Sequence, residues 1–178
     1  MAANISIGGR AINFNLPATD GKDYTLGTFR DRKALAVIFS CVHCPYVLAW
    51  EDRIISLQKE FAGQGAAFVL ICANDAVKYP QDSFENMKIH AGKKNYPFPF
   101  LHDESQALAR AYGAERTPEI FLFDSERSLA YHGAVDDNHE DPAVVTQHYF
   151  RDALQAVLEG KKVPTPWVAP KGCSIKWK

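Results

Sequence analysis

"AVIFSCVHCPY", residues 36–46, sets two cysteines three positions apart, directly after an apolar run and directly before a proline. The run "ALAVIF" (34–39) is continuously apolar, the pattern of a strand covered on both faces. Pro45 suits the first turn of a helix, where its missing N–H has no bond to lose. Beyond it Val47, Trp50, Ile54, Leu57 and Phe61 recur at helical spacing, and Gly63 and Gly65 end the helix. "AAFVLICA" (66–73) is a second buried strand. Strand, helix, strand predicts a parallel pair joined by a right-handed crossover. Cys41 and Cys44 then fall at the strand-to-helix junction, where accessible side chains are expected.

Working outward, "INFNLPATDGKDYTLGTF" (12–29) reads as short extended pieces around an Asp20-Gly21 turn. Residues 74–103 form a longer excursion, helical over 83–94, with a "NYPFPF" segment (95–100) that cannot be helical. A short helix over 104–112 leads to Gly113. "EIFLF" (119–123) and "LAYHG" (129–133) flank the turn "DSER" as an antiparallel hairpin. "DDNHEDP" (136–142) reads as a solvated connection, and 144–159 as a last helix closed by Gly160. The tail "KKVPTPWVAPKGCSIKWK" carries three prolines and is not helical. The expected organisation is one domain, 1–160, with an extended tail, 161–178, packed on it.

A chain of 178 residues suffices for one domain with a sizeable core. A formal net charge of −1 leaves no basic footprint for nucleic acid, and no apolar run is long enough to span a membrane. The start "MAANISIGGR" lacks the apolar stretch of a signal peptide, so a cytoplasmic location is expected. In a reducing compartment a CxxC is more often metal-binding or redox-active than a structural disulfide. A structural zinc needs four ligands. The chain offers no second CxxC and no HxxxH; Cys72 lies within a strand, and His132, His139 and His148 are not at ligand spacing. Neither metal nor cofactor is expected. Two inert core cysteines are the plainer alternative, against which the junction position speaks.

The redox reading has a physical mechanism. A helix starting near Cys44 aims its free N–H groups and positive dipole end at the sulfurs, which stabilises a thiolate. His43 adds a donor or a positive charge, stabilising the dithiol and making the pair more oxidising than one flanked by Gly-Pro. Helix geometry is expected to bury the second sulfur, giving Cys41 the lower pKa.

With these motifs in place, the chain resembles the thioredoxin-like superfamily, specifically its alkyl hydroperoxide reductase/thiol-specific antioxidant branch, from about Ile12 to Gly160. "FNLPATDGKDYTLGTF" resembles the branch's N-terminal hairpin, "AVIFSCVHCPY" its strand, CxxC and helix, and "AYGAERTPEIFLFD" its Thr-Pro segment. "CVHCPY", "NDAVKYPQDS", "FPFLHDES" and "GCSIKWK" are similar to a peroxiredoxin-like subgroup. The resemblance implies a three-layer α/β/α sandwich around a central mixed sheet, with an N-terminal hairpin and an extended C-terminal tail. It implies a cis Pro118 facing the CxxC, with the Thr117 backbone free to pair with a bound peptide or partner thiol.

Three departures from the pattern bear on function. Where peroxiredoxins carry Thr-x-x-Cys, Cys41 takes the threonine's place and Cys44 that of the peroxidatic cysteine. Where thioredoxins bury an aspartate six residues before the first cysteine, this chain has Leu35. Where the subgroup has a cysteine before Thr-Pro, this chain has Arg116, either a thiolate-stabilising cation or a solvated loop residue. The implied activity is that of an antioxidant thiol–disulfide oxidoreductase: Cys41 attacks and Cys44 resolves, with His43, Arg116, Thr117 and Pro118 around them. The alternatives are a thiol peroxidase working through Cys44 and a redox-sensing module without turnover. The expected partners are protein or small-molecule disulfides, peroxides in the second reading, and a thiol reductant. Cys173 lies thirteen residues beyond Gly160, near enough to reach the CxxC as a third redox cysteine. Trp167, Ile175 and Trp177 are the tail's expected apolar anchors.

Overall fold

The computed structural model describes residues 4–178. Its elements run β1 (Asn15–Pro17), β2 (Asp23–Thr25), β3 (Ala34–Phe39), α1 (Pro45–Phe61), β4 (Ala66–Cys72), α2 (Phe84–Lys94) and β5 (Phe100–His102). They continue with α3 (Ala107–Tyr112), β6 (Arg116–Thr117), β7 (Glu119–Phe123), β8 (Leu129–Gly133), α4 (Tyr149–Leu158) and β9 (Cys173–Ser174). The central sheet has the order β5-β4-β3-β7-β8. β3 pairs parallel with β4 and antiparallel with β7, so the sheet is mixed. β1 and β2 form the N-terminal hairpin, closed where Asp20 Oδ1 accepts the Lys22 N–H.

The apolar run of β3 is explained by two cores. Ala36 and Ile38 face Trp50 and Phe61 of α1 and Phe150 of α4. Leu35, Val37 and Phe39 face Leu108 and Tyr112 of α3, with Phe14 and Phe29 from the N-terminal segment. Successive strand residues point to opposite faces, so a strand covered on both sides must be apolar throughout. Each large side chain buried this way contributes about 1.5–3 kcal/mol. The result is the three-layer thioredoxin-like α/β arrangement. No helix among the described residues is long and apolar enough to cross a membrane.

Several boundaries differ from expectation. Ser83 is the cap of α2 rather than its first residue; its hydroxyl accepts the Asn86 N–H. α4 begins at Tyr149, not at 144, because Asp137 holds Thr146 outside the helix through both its N–H and its hydroxyl. The Pro-rich 95–100 stretch leads into an edge strand, β5, which the sequence pattern did not reveal. The 136–142 loop is not simply solvated. Asp136 is buried and accepts from Trp50 Nε1 at 2.8 Å and Arg53 Nη1 at 2.7 Å.

Residues 161–178 lie against the domain in two places. Backbone bonds from the His132 N–H to Pro166 O, 2.9 Å, and from the Val168 N–H to His132 O, 3.1 Å, tie the first part to β8. These bonds turn Trp167 outward, and it is 57% exposed rather than an anchor. Further on, Ile175 is buried in the second core and Arg110 lies over the Trp177 ring. Lys176 is bonded through both backbone groups, to Asp75 N–H and to Asn74 Oδ1.

Candidate functional site

Cys41 follows β3 directly, and Cys44 is the N-cap of α1, with extended backbone and Pro45 as the first helical residue. Both sulfur-bearing residues are 0% exposed, so the accessibility expected from their junction position is not found. The cover comes from the far end of the sequence. β9 pairs antiparallel with β6 in the register Arg116↔Ser174 and Thr117↔Cys173. Gly172 makes this approach possible: a Cβ there would stand 2.1 Å from the Thr117 carbonyl oxygen. The Thr117–Pro118 peptide is cis, and the Thr117 backbone is not free but faces Cys44 and the tail strand.

The two thiols stand in different surroundings. The Cys44 pKa is lowered from 9.0 to about 4 by the hydrogen bond from Cys41, against its own burial, with further help from the Cys173 thiol and backbone and the Val47 N–H. The protonated form can donate to the Thr117 carbonyl at 3.3 Å. Cys41 is pushed the other way, by its bond to Cys44, by burial and by the charge of Asp82; the Thr117 hydroxyl, 3.5 Å away, offsets part of this. The lower pKa therefore belongs to Cys44, reversing the order expected from helix geometry. The reason is local: Cys44 receives the Cys41 bond at the N-cap position of α1, while Cys41 sits beside the Asp82 carboxylate.

That carboxylate is a residue sequence reasoning missed. Asp82 is 0% exposed and comes from the 74–103 excursion, in a short turn before α2. Its Oδ1 accepts the Val42 N–H at 2.9 Å, and its Oδ2 accepts from Asn74 Nδ2 at 2.8 Å. His43 Nδ1 lies 2.6 Å from the same Oδ2, and the His43 ring stacks on Tyr79. A buried acid thus stands beside the CxxC although the position six residues before it holds Leu35. His43 addresses Asp82 and the Cys41 side of the pair. Cys41 Sγ, a His43 ring nitrogen and an Asp82 oxygen lie within 4.8 Å of one another. These are three donors where a structural zinc takes four, and both Asp82 oxygens already accept hydrogen bonds.

Arg116 is exposed, and its guanidinium reaches Gly172 O at 3.5 Å. It holds the tail rather than the Cys44 sulfur. Glu119, buried at the start of β7, accepts the Glu115 and Arg116 N–H groups with Oε2 while Oε1 meets His132 Nε2 at 2.7 Å. This carboxylate shapes the segment onto which the tail strand adds. Phe39 and Trp50 are fully buried packing residues. Cys173 is partly exposed and packs on the core that holds Cys41 and Cys44, and its thiol and backbone help to lower the Cys44 pKa. Cys72 is buried, and desolvation first, then the Asp82 charge, raise its pKa to about 12.

Comparison with known proteins agrees with this architecture. No curated protein matches the chain. Among solved structures, a hypothetical protein of Sinorhizobium meliloti is 42% identical, with a TM-score of 0.92 over 98% of this chain and 96% of that one. An uncharacterized conserved protein of Geobacillus kaustophilus is 39% identical, with a TM-score of 0.92 over 98% and 93%. The peroxidoxin BcpB of Mycobacterium tuberculosis, at 20% identity, shares the fold with a TM-score of 0.62 over 88% and 97%. The redoxin family model matches residues 7–148, from before the N-terminal hairpin to the start of α4 and across the CxxC. With that match and a thiol pair set at the head of α1, the chain belongs to the redoxin family, a thiol-based redox family of the thioredoxin-like fold.

Proposed function

We propose that the protein is a thiol–disulfide oxidoreductase in which Cys44 is the nucleophile and Cys41 the resolving thiol. The observation that carries this reading is the placement of the pair. Cys41 follows β3, Cys44 is the N-cap of α1, and both thiols meet Thr117, Cys44 Sγ at 3.3 Å from its carbonyl and Cys41 Sγ at 3.5 Å from its hydroxyl. These surroundings lower the Cys44 pKa and raise that of Cys41. The Cys44 thiolate attacks one sulfur of a partner disulfide. A mixed disulfide forms and the other sulfur leaves as a thiolate. Cys41 then loses its proton, for which Asp82 and His43, with an oxygen and a ring nitrogen within 4.8 Å of its sulfur, are the available bases, and attacks Cys44 Sγ. The Cys41–Cys44 bond forms and the partner leaves as its second thiol. A thiol reductant restores the dithiol, its two electrons passing to the Cys41–Cys44 bond. The roles of the two cysteines are thus exchanged relative to the order expected from the sequence.

A second reading is favoured by one observation. A lowered pKa at a helix N-cap, in the position of the peroxidatic cysteine, suits attack of Cys44 on a peroxide. Against it, Cys41 stands where the peroxide-activating threonine would be, and Arg116 is turned to the tail. Stopped-flow oxidation of the reduced protein by oxidised glutathione and by hydrogen peroxide, side by side, separates the two. Faster reaction with the disulfide is expected. A strong preference for peroxide with accumulation of Cys44 sulfenic acid would transfer the assignment to the peroxidase. Disulfide formation without insulin reduction in the presence of dithiothreitol would leave a redox sensor.

A further inference from the structure

The pair just described has no open face. Cys41 and Cys44 are 0% exposed, and the edge beside them is filled by β9. The residue paired with Thr117 there is Cys173, which alone of the four cysteines is partly exposed. The Cys44 sulfur and the Cys173 strand meet the same residue: Cys44 Sγ lies 3.3 Å from Thr117 O, and Thr117 is the register partner of Cys173. Gly172 lies so close to the Thr117 carbonyl that no larger residue fits without moving the strand. Arg116 bonds Gly172 O, Ile175 donates to Glu115 O at 2.9 Å, and Ile175 and Lys176 are anchored on the domain. The tail therefore occupies the strand-addition edge in the manner of a bound peptide, with a cysteine at the position opposite the nucleophile.

We propose that Cys173 is the surface terminal of a three-cysteine relay: a Cys44–Cys173 disulfide exchanges with the buried Cys41–Cys44 disulfide and is the form that an external thiol reduces. The inference rests on the dithiol reading above and adds the route by which electrons reach it. In the exchange Cys173 loses its proton and attacks Cys44 Sγ. The Cys44–Cys173 bond forms as the Cys41–Cys44 bond breaks, and Cys41 leaves and takes up a proton, with no net oxidation. An external thiol of the glutathione class then attacks Cys173 Sγ and Cys44 leaves as thiolate. A second external thiol attacks the resulting mixed disulfide and leaves as the external disulfide, freeing Cys173. Two thiols have supplied two electrons; one of their protons stays on Cys173 and the other passes to solvent, because Cys44 remains ionised. Cys44 suits the leaving role because a low-pKa thiolate leaves fastest. By this route a buried pair is reduced without opening of the domain, because the attacked sulfur is the one that is partly exposed.

The test uses the full chain. Reduced Cys41→Ser protein is treated with one equivalent of oxidised glutathione, quenched in acid and mapped by mass spectrometry. The expected product is an intramolecular Cys44–Cys173 disulfide with release of two glutathione thiols per chain. A stable glutathione adduct on Cys44, with Cys173 free, would overturn the relay. The double variant Cys41→Ser/Gly172→Ala keeps both sulfurs but forces the tail strand off Thr117. It should stop at the adduct, with circular dichroism unchanged; bridging at the single variant's rate would show that the strand pairing is irrelevant. In a second arm, oxidised Cys173→Ser protein should form the Cys41–Cys44 disulfide but be reduced by glutathione at least about tenfold more slowly than wild type. Formation of that disulfide with wild-type reduction kinetics would remove the relay and leave the dithiol reading intact. Its absence from both proteins would remove the dithiol reading and the relay with it.

Discussion

Reduction of the Cys41–Cys44 disulfide adds two electrons, and the number of protons that follow is set by the site. Ordinary thiols would take up two protons across neutral pH. Here the Cys44 pKa is lowered to about 4, while Cys41 is raised above 9.0, so between these limits the reduced pair holds one proton and one negative charge. For a two-electron couple a tenfold change in equilibrium constant is about 30 mV. The potential should therefore fall by about 30 mV per pH unit from about pH 5 to about pH 8, half the roughly 60 mV that two protons would give. Equilibration against glutathione buffers across that range, with the oxidised fraction read from alkylation mass shifts, measures the slope. Thiolate absorbance in the ultraviolet counts the charge independently. At about pH 6 an ordinary thiol is almost wholly protonated, whereas the lowered pKa of Cys44 leaves it largely as thiolate. A slope near 60 mV throughout, or a thiolate signal that survives Cys44→Ser but disappears in Cys41→Ser, would refute the assignment.

The same proton linkage acts on folding. Cys44 has a folded pKa below its unfolded value, so its stabilisation is complete above about 9 and is lost as pH falls toward about 4. Cys41 has a raised folded pKa, so its contribution holds below about 9 and is lost as pH climbs above it. The reduced protein should be most stable near the crossing of these two windows, and Cys44→Ser should flatten the acid-side limb.

Three further substitutions act on named contacts. Asp82→Asn removes a charge that, after the Cys44 bond and burial, raises the Cys41 pKa; Cys41 alkylation should start at lower pH, and an unchanged profile would show that the carboxylate does not act on the thiol. The same change sets an amide NH₂ among Asn74 and His43, and urea unfolding should show a loss of about 1–3 kcal/mol. Asp136→Ala leaves the Trp50 indole N–H without its acceptor and Arg53 without its ion pair, which should cost about 2–3 kcal/mol and lower the melting temperature by about 4–12 °C. Ile175→Ala removes the buried anchor beyond Cys173; hydrogen exchange should quicken at the Lys176 and Lys178 amides, with the central strands unaffected.

What the sequence made legible is what local pattern encodes. The unbroken apolar run of β3, the helical spacing after Pro45 and the second apolar run set the β-α-β unit and with it the CxxC at a helix N-cap. Asp82 was hidden because a buried acid in an irregular excursion has no periodic signature; only the return of that excursion over Val42 makes it a neighbour of Cys41. Asp136 was hidden for the same reason, inside a run of acids that reads as solvent-facing. The tail could be seen to reach the site, but not that two residues of it would add as a strand to Thr117, because a two-residue pairing leaves no alternation to read. The order of the two cysteine pKa values starts from their mutual bond, which the CxxC spacing permits, but its direction also depends on Asp82, Thr117 and Cys173, which the spacing does not reveal.

β3 is an interior strand only because of a segment made about eighty residues later. Phe39 lies opposite Glu119 and Leu35 opposite Phe123, whereas the pairing with β4 closes over a much shorter loop. In kinetic terms the β-α-β unit can assemble early, but one side of β3 then remains an open, wholly apolar edge until β7 docks. A chain interrupted between β4 and β7 would present that edge to other chains, and it would present the two thiols without their tail. Slow assembly would therefore expose the protein to aggregation and premature oxidation through the same gap. Refolding yields should improve with dilution and with a reductant present until the hairpin of β7 and β8 has closed the sheet.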